Sequence, residues 1–287
     1  MLVALPGPAD EPPRSPDPAP DVPPASGLEA RLGAFAAALR EDAPYDPPGE
    51  RQRREFVDAL GALRDGSSEA VDALEELGLD VDLGTDAETG RPYAAVAGKA
   101  NAEPGWGFYV VDLSRPARVA VQVPHPANDL RTDEIGLGLF RRVPGAVLAV
   151  AGTHRRASLG KGDASHHKGS AFHALAEDHA RRGLPQVQLH GFNDASLPSA
   201  DVVLSPGATD VDDTLERVAD GLDDDLRVCR AWQRDCGQLE GRRSAQGQVA
   251  AEHGSSFVHV EVSRSVREDR SAWRGIVQVI ADSLGDR

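Results

Sequence analysis

Apolar residues in the second half of the chain form short continuous runs that alternate with amphipathic stretches. The runs lie at 119–124, 146–151, 186–189 and 257–260. Runs this short are typical of strands buried on both faces, whereas the spacing of apolar residues at 132–142 and 170–182 predicts helices. This alternation predicts an α/β fold with a mainly parallel or mixed central sheet flanked by helices.

The first part of the chain has a different pattern. Helical spacing predicts three helices, at 28–39, 50–64 and 68–77, and alternating residues within 79–98 predict a β-hairpin. The stretch 5–27 is rich in Pro and nearly free of bulky apolar side chains, so it cannot bury enough surface to offset chain entropy. We therefore predict a disordered tail over 1–27, N-terminal helices over 28–78 and an α/β domain over 79–287.

The net charge of the chain limits the kinds of partner that it can bind. The 287 residues include 46 acidic and 31 basic side chains, which gives a net charge of −15 and a pI near 5.0. Such a surface repels nucleic acid and anionic membranes, so we expect neither as a partner. No basic residue precedes the short apolar stretch at the start, so the protein is either cytoplasmic or exported with its leader missing from this sequence. The oligomeric state stays open.

Two cysteines, Cys229 and Cys236, lie seven residues apart. We predict a helix for this segment, and on a helix that spacing would place both thiols on one face. They either form a disulfide or remain two free thiols on a buried face. Neither belongs to a CxxC motif of the zinc-binding or redox type.

Three of the apolar runs lead directly to a residue that can do chemistry, namely His125, His190 and Glu261. In an open α/β sheet, sites form outside the carboxyl ends of the strands. We therefore expect these strand ends to meet, together with the polar loop that follows 146–151. We also expect His125 and His190 to hold a metal ion.

The surroundings of the two histidines admit a second interpretation. Pro on both sides stiffens the backbone at His125, and Asp129 can reach the same ion if the loop curls back. Gly191 after His190 leaves space for a metal or a substrate to approach. The alternatives are a loop histidine beside a helix-capping Asp and a strand-end histidine with its hydrogen bonds satisfied.

Glu261 ends an otherwise apolar strand. Apolar surroundings raise the pKa of a carboxyl group, which suits a general base. The alternative is a salt bridge to Arg264 or Arg267. Those two arginines could instead bind a substrate carboxylate through a bidentate fork.

A polar segment over 154–173 carries further candidates. Asp163 and His166 could orient one another, take part in substrate binding or hold a second ion, although Asp163 could equally be a helix N-cap. We interpret His167, His179, His253 and His259 as structural or surface residues. The chain has neither a G-x-S-x-G nucleophile elbow nor a glycine-rich phosphate loop.

Five segments occur in an order that resembles a known family. They are VPHPANDLRTDE, AGTHRRAS, DASHHKGSAFHAL, QLHGF and FVHVEVSRSVR. Together they resemble the zinc-dependent amidohydrolases of the carboxypeptidase-like group, which includes N-formylglutamate amidohydrolase-like proteins and phage poly-γ-glutamate hydrolases. The resemblance covers roughly residues 105–285 and implies a phosphorylase/hydrolase-like α/β fold.

The resemblance also implies roles for particular residues. It implies zinc ligands at His125, Asp129 and His190, a general base at Glu261, and substrate-carboxylate binding by Arg155 or Arg156. One feature departs from the family, because the carboxypeptidase pattern is His-x-x-Glu and this chain has His-x-x-x-Asp. Glu134 is therefore the alternative second ligand.

These observations lead to a functional hypothesis with two alternatives. The first is a zinc-dependent hydrolase that cleaves an amide bond in a carboxylate-bearing acyl-amino acid, peptide or γ-glutamyl substrate, with Glu261 as base for a zinc-activated water. The second is a non-catalytic ligand-binding or cell-surface module on the same fold. The third is a two-metal phosphoesterase that uses Asp129, Asp163 and His166.

Overall fold

The structure is a computed structural model that describes residues 27–98 and 105–285. Apart from Gly27, the predicted disordered tail lies outside these residues. The three predicted N-terminal helices and the predicted hairpin are confirmed, with ends that differ by at most one residue. In the part of the chain that is described, no helix combines the length and the apolar character needed to cross a membrane.

The described elements alternate as the pattern of runs predicts. The α-helices are α1 (Leu28–Ala38), α2 (Glu50–Arg64), α3 (Glu69–Glu76), α4 (Thr132–Arg142), α5 (Ala171–Arg181), α6 (Asp213–Asp223), α7 (Ala245–His253), α8 (Arg264–Glu268) and α9 (Arg270–Leu284). The strands are β1 (Asp80–Thr85), β2 (Pro92–Ala97), β3 (Phe108–Asp112), β4 (Val119–Val123), β5 (Ala146–Val150), β6 (Gln186–Phe192), β7 (Val202–Ser205), β8 (Val228–Arg230) and β9 (Phe257–Ser263).

These strands form one mixed sheet in the order β1-β2-β3-β5-β4-β6-β9-β7-β8. The centre, β5-β4-β6-β9, is parallel, whereas β1, β2 and β3 add an antiparallel edge and β7 runs antiparallel to β9. The predicted α/β class with a parallel or mixed sheet is therefore confirmed. The chain moves from β4 outward to β5 and later from β6 outward to β9, so the order reverses between β4 and β6. Ligand sites in open sheets form at such a reversal.

Helices cover both faces of the sheet and bury a separate core on each. Alternate residues of β5 enter the two cores: Leu148 belongs to the core that α1, α4, α6 and α9 help to form, whereas Val147 belongs to the core that α2, α3 and α5 help to form. Burial on both faces explains why the central strands are continuous apolar runs rather than alternating ones.

The helix predicted around the cysteines is wrong. Residues Val228–Arg230 form β8, which pairs in parallel with β7, and Cys229 is bonded to Cys236. Alternate side chains of β8 enter different apolar clusters, with Val228 in the main core and Cys229 beside Val203. The segment around Cys229 is a strand because it pairs with the edge of β7 that β9 leaves open. The spacing of residues along the chain cannot predict this pairing.

Two helical glycines should respond in opposite ways to Ala substitution. A Cβ at Gly136 in α4 would lie 2.8 Å from Val123 Cγ2 and 3.1 Å from Leu148 Cδ1, whereas a Cβ at Gly275 in α9 meets nothing within 4 Å. We expect Gly136→Ala to lower the free energy of unfolding by about 1–3 kcal/mol through overpacking. Gly275→Ala should raise it by about 0.5–1 kcal/mol through helix propensity. Urea unfolding measures both, and equal shifts would contradict the close packing of α4 on the sheet.

Stability should fall in mild acid because of His179 on α5. This side chain lies beside Leu60, Val147 and Leu175, and burial lowers its pKa from the usual 6.5 to about 3. The unfolded chain therefore binds the proton more readily than the folded chain. The contribution of His179 to the free energy of unfolding is complete above about pH 6.5, and it declines toward pH 3 by ~1.4 kcal/mol per pH unit. Unfolding between pH 7 and 5 should show a shallower slope in His179→Gln. The exposed His253→Gln is the control, and a slope unchanged in both variants would contradict the assignment.

Candidate metal centre

The predicted strand ends meet at one edge of the parallel sheet. His125 follows β4, His190 lies in β6, and Glu261 in β9 is the direct register partner of His190. The two histidines thus lie on either side of the reversal between β4 and β6. A cavity of about 850 Å³ opens at this edge, and its wall includes His125, Asp129, His190 and Glu261.

A turn after His125 brings Asp129 back to the imidazoles. The backbone N–H groups of Asn128 and Asp129 donate to the His125 carbonyl at 3.0 and 2.8 Å. Asp129 Oδ2 then lies 3.4 Å from His125 Nδ1 and 3.2 Å from His190 Nδ1. One ligand atom from each of these three residues lies within 4.8 Å of the other two. The other candidate ligand, Glu134, lies on α4, where it pairs with Arg131 and lines a different cavity.

The second nitrogen of each ring faces an oxygen. His125 Nε2 lies 2.8 Å from Asp163 Oδ1, and His190 Nε2 lies 3.1 Å from Gln188 Oε1. In the tautomer with the proton on Nε2, each ring donates to this oxygen, and its Nδ1 lone pair faces Asp129 Oδ2 and is available to a metal ion. His125 Nδ1 is in fact buried without a hydrogen-bond partner. Metal-binding histidines usually donate their other N–H to such an acceptor, so the three side chains fit a metal ion.

The pKa shifts of Asp129 and His190 suit a metal, whereas the shift of His125 favours its protonated form, which a metal ion would have to displace. Burial by itself would raise the pKa of the Asp129 carboxyl, but the neighbouring imidazoles of His125 and His190 outweigh it and hold that pKa well below its usual range. Burial lowers the pKa of His190 despite its bond to Asp129. Burial would lower the pKa of His125, but the neighbouring carboxylates of Asp129 and Asp163 outweigh it and raise that pKa. An ionised carboxylate and a neutral imidazole are the forms that bind metals.

Asp163 organises the loop on one side of the centre. Its carboxylate lies within 3.1 Å of His125 Nε2, His166 Nδ1 and Arg155 Nη2, and it accepts a hydrogen bond from Ser165 Oγ at 2.9 Å. His125 and His166 lower the pKa of Asp163 by these bonds, despite burial. Asp163 and His166 therefore do contact one another. Among the described residues, neither belongs to a group of three side chains able to hold a second ion.

Glu261 reaches the cavity without a cationic partner. Its Oε2 is buried with no hydrogen bond among the described residues, and its Oε1 lies 3.7 Å from His259 Nε2. The alternative of a salt bridge to Arg264 or Arg267 is wrong. Arg264 pairs with Glu268 at 2.8 Å, and the Arg267 guanidinium donates to backbone carbonyls.

His259 belongs to the site, although the sequence suggested a structural or surface role. Its ring centroid lies 4.7 Å from that of His190, it lines the same cavity, and both of its ring nitrogens lack partners among the described residues. One signal in the sequence could have identified it. His259 is two positions before Glu261 on one strand, so both side chains point to the same face of the sheet.

The predicted substrate-binding arginines divide into two pairs. Arg155 and Arg156 line the cavity, where Arg155 pairs with Asp163 at 3.0 Å and Arg156 lies 3.5 Å from a Glu41 oxygen. Arg264 and Arg267 lie outside this wall and line a smaller cavity nearby. Contact of any of these arginines with a substrate carboxylate stays a prediction.

Comparison with known proteins gave matches among solved structures alone. No protein-family model and no curated protein matches the chain. A "putative carboxypeptidase A" from Shewanella denitrificans OS-217 is 14% identical, with a TM-score of 0.43 over 76% of this chain and 68% of that one. A bacteriophage poly-gamma-glutamate hydrolase is 10% identical, with a TM-score of 0.43 over 74% of this chain and 93% of that one.

A third similar structure is YndL in its zinc-free apo form. It is 12% identical, with a TM-score of 0.44 over 65% of this chain and 93% of that one. The names of the first two structures match the carboxypeptidase-like group that the five sequence segments resemble. Identities and TM-scores this low carry no argument about activity, so the function has to be argued from the site itself.

Proposed function

We propose that this protein is a zinc-dependent hydrolase that cleaves an amide bond in a substrate bearing a carboxylate. One observation carries the proposal. Two imidazoles and one carboxylate bring ligand atoms within 4.8 Å of one another at a buried point, and the wall of the same cavity includes Glu261, which has a carboxylate oxygen without a hydrogen-bond partner among the described residues. Three protein ligands with a carboxylate base nearby are typical of catalytic rather than structural zinc sites.

His125, Asp129 and His190 would hold the metal. Zinc, when bound, supplies a Lewis acid that polarises the substrate carbonyl and lowers the pKa of a coordinated water to about 7. Asp163 and Gln188 fix the two rings through their Nε2 atoms, so the ligand atoms need little rearrangement to bind.

Glu261 would carry the proton. Its carboxylate takes a proton from the attacking water as the new carbon–oxygen bond forms, and it returns that proton to the amide nitrogen as the carbon–nitrogen bond breaks. The products are a carboxylic acid and an amine. Among the described residues, Oε2 has no hydrogen-bond partner and Oε1 lies 3.7 Å from His259 Nε2, so no strong hydrogen bond competes for this carboxylate.

Arg155 and Arg156 would hold the substrate carboxylate. Both line the cavity, and a guanidinium binds a carboxylate through two parallel hydrogen bonds. Hydrogen bonds to charged groups contribute about 1.5–3 kcal/mol, so capping the substrate carboxylate as an amide should lower kcat/KM by roughly 10–100-fold.

The test is metal analysis of the purified protein together with amine release from N-acyl amino acids, dipeptides and γ-glutamyl amides. We expect stoichiometric zinc, hydrolysis that a chelator abolishes and zinc restores, and neither zinc nor hydrolysis in the His125→Ala/His190→Ala double variant. A wild type without zinc, with the double variant binding metal equally well, would sink the proposal. Zinc binding without cleavage of any amide would favour the non-catalytic module.

A further inference from the structure

Arg267 on α8 is a largely buried arginine that contacts the backbone close to the candidate metal ligands. Only 6% of this residue is exposed, and three of its N–H groups donate to backbone carbonyls. Nε donates to Val262 at 3.0 Å, Nη2 donates to Phe192 at 3.2 Å, and Nη1 donates to Leu130. No carboxylate within 4 Å pairs with it among the described residues.

The three accepting carbonyls are next to the residues of the site. Leu130 follows Asp129, Val262 follows Glu261, and Phe192 is two residues beyond His190. These carbonyls belong to the loop after β4 and to the ends of β6 and β9. One rigid cation on α8 therefore joins three backbone segments that carry two of the metal-ligand side chains and the base.

Gly191 makes room for this arrangement. A Cβ at this position would lie 2.4 Å from both Cζ and Nε of Arg267, so any other residue would displace the guanidinium. The requirement is steric rather than conformational, because the backbone of Gly191 does not have a positive φ. The glycine after His190 is thus explained by contact with Arg267.

We propose that Arg267 is a positioning residue: it fixes Asp129, His190 and Glu261 relative to one another, and Gly191 admits it. The proposal rests on the function proposed above for its consequences in zinc binding and hydrolysis. The planar guanidinium has donors in a fixed fork, which suits three acceptors in different directions, whereas the Lys ammonium is a compact point charge. The Arg267→Lys variant should therefore keep only part of the positioning that the Arg267→Met variant loses.

The first experiment measures zinc affinity by competition with a chromophoric chelator. Loss of a residue that holds metal ligands in position typically lowers metal affinity by 10–100-fold. We therefore expect a loss of about that size in Arg267→Met and a smaller loss in Arg267→Lys. The Co²⁺-substituted proteins should show a changed visible absorption spectrum. Arg91→Lys is the matched control, because Arg91 donates to the carbonyls of Phe140 and Arg141 at the far end of α4.

The second experiment is amide hydrogen exchange of the metal-free proteins, which needs neither zinc nor activity. Arg267→Met should accelerate exchange together at 129–131, 191–193 and 261–263, whereas Arg91→Lys should leave these segments unchanged. Gly191→Ala should reproduce the Arg267→Met pattern, and the double variant should be no worse than either single variant. If Arg267→Met does not fold, Arg267→Lys and Gly191→Ala are compared in its place.

The outcomes separate this proposal from the proposed function. Unchanged exchange at the three segments, or acceleration at only one, overturns the positioning role even if the wild type hydrolyses amides. If the wild type binds zinc and Arg267→Met binds it with the same affinity, the positioning role is also overturned. If the wild type binds no zinc, the proposed function is wrong. The hydrogen-exchange experiment uses metal-free protein, so it still tests the role of Arg267.

Discussion

Replacing Glu261 with Gln is expected to lower kcat for amide hydrolysis by about 10²–10⁴-fold, the range that general acid–base catalysis contributes. Gln keeps the shape of the side chain but cannot take a proton from water. Because Glu261 is not among the proposed ligands, zinc content should stay close to that of the wild type. KM should change little, because the arginines that would hold the substrate are intact.

Glu240→Gln is the matched control for this experiment. Glu240 and Glu261 are each 9% exposed and line the same cavity, but the oxygens of Glu240 are occupied. Oε1 accepts the backbone N–H of Cys236 at 2.9 Å, and Oε2 pairs with Arg242. We expect kcat in Glu240→Gln to fall by less than about 10-fold, because this carboxylate has no proton to carry. Equal losses in the two variants, or full activity in Glu261→Gln, would contradict the assignment of the base.

The strand ends could be predicted from the sequence because their signal is local. A buried parallel strand is a continuous apolar run, and the residue that follows it lies at the carboxyl edge of the sheet. His125, His190 and Glu261 each satisfy this rule. Asp129 could be proposed for the same reason, since a turn of five residues is enough to return it to His125.

The remaining features depend on contacts between distant parts of the chain. Asp163 reaches His125 across 38 residues, and Arg267 reaches Leu130 across 137. No periodicity along the sequence encodes such contacts. The spacing of the cysteines predicts a helix, but the conformation of Cys229 depends on the pairing of β8 with β7, which is also a contact between distant parts of the chain. His259 is different, since its same-face relation to Glu261 was visible in the strand pattern.

Replacing Asp129 with Asn is expected to weaken zinc binding by more than the roughly 10–100-fold that is typical when a residue hydrogen-bonded to a metal ligand is lost, because it replaces the anionic ligand with a neutral one. Asn keeps an oxygen at nearly the same position, so the fold should survive. The negative charge that draws the metal is lost, and both imidazoles lose their ionised neighbour. Zinc affinity by chelator competition measures the effect, and amide hydrolysis should fall in parallel at limiting zinc.

Glu134→Gln is the control that separates the two candidate second ligands. The His-x-x-x-Asp spacing left both open, because Glu134 also follows His125 closely in sequence. Glu134 points toward Arg131 at 3.3 Å and lines a cavity on the other side of the loop, so its substitution should change zinc affinity by less than about twofold. A large loss in Glu134→Gln with little loss in Asp129→Asn would require the loop after β4 to adopt a different conformation when metal binds. The turn that brings Asp129 close to His125 would then not be the conformation that binds the metal ion.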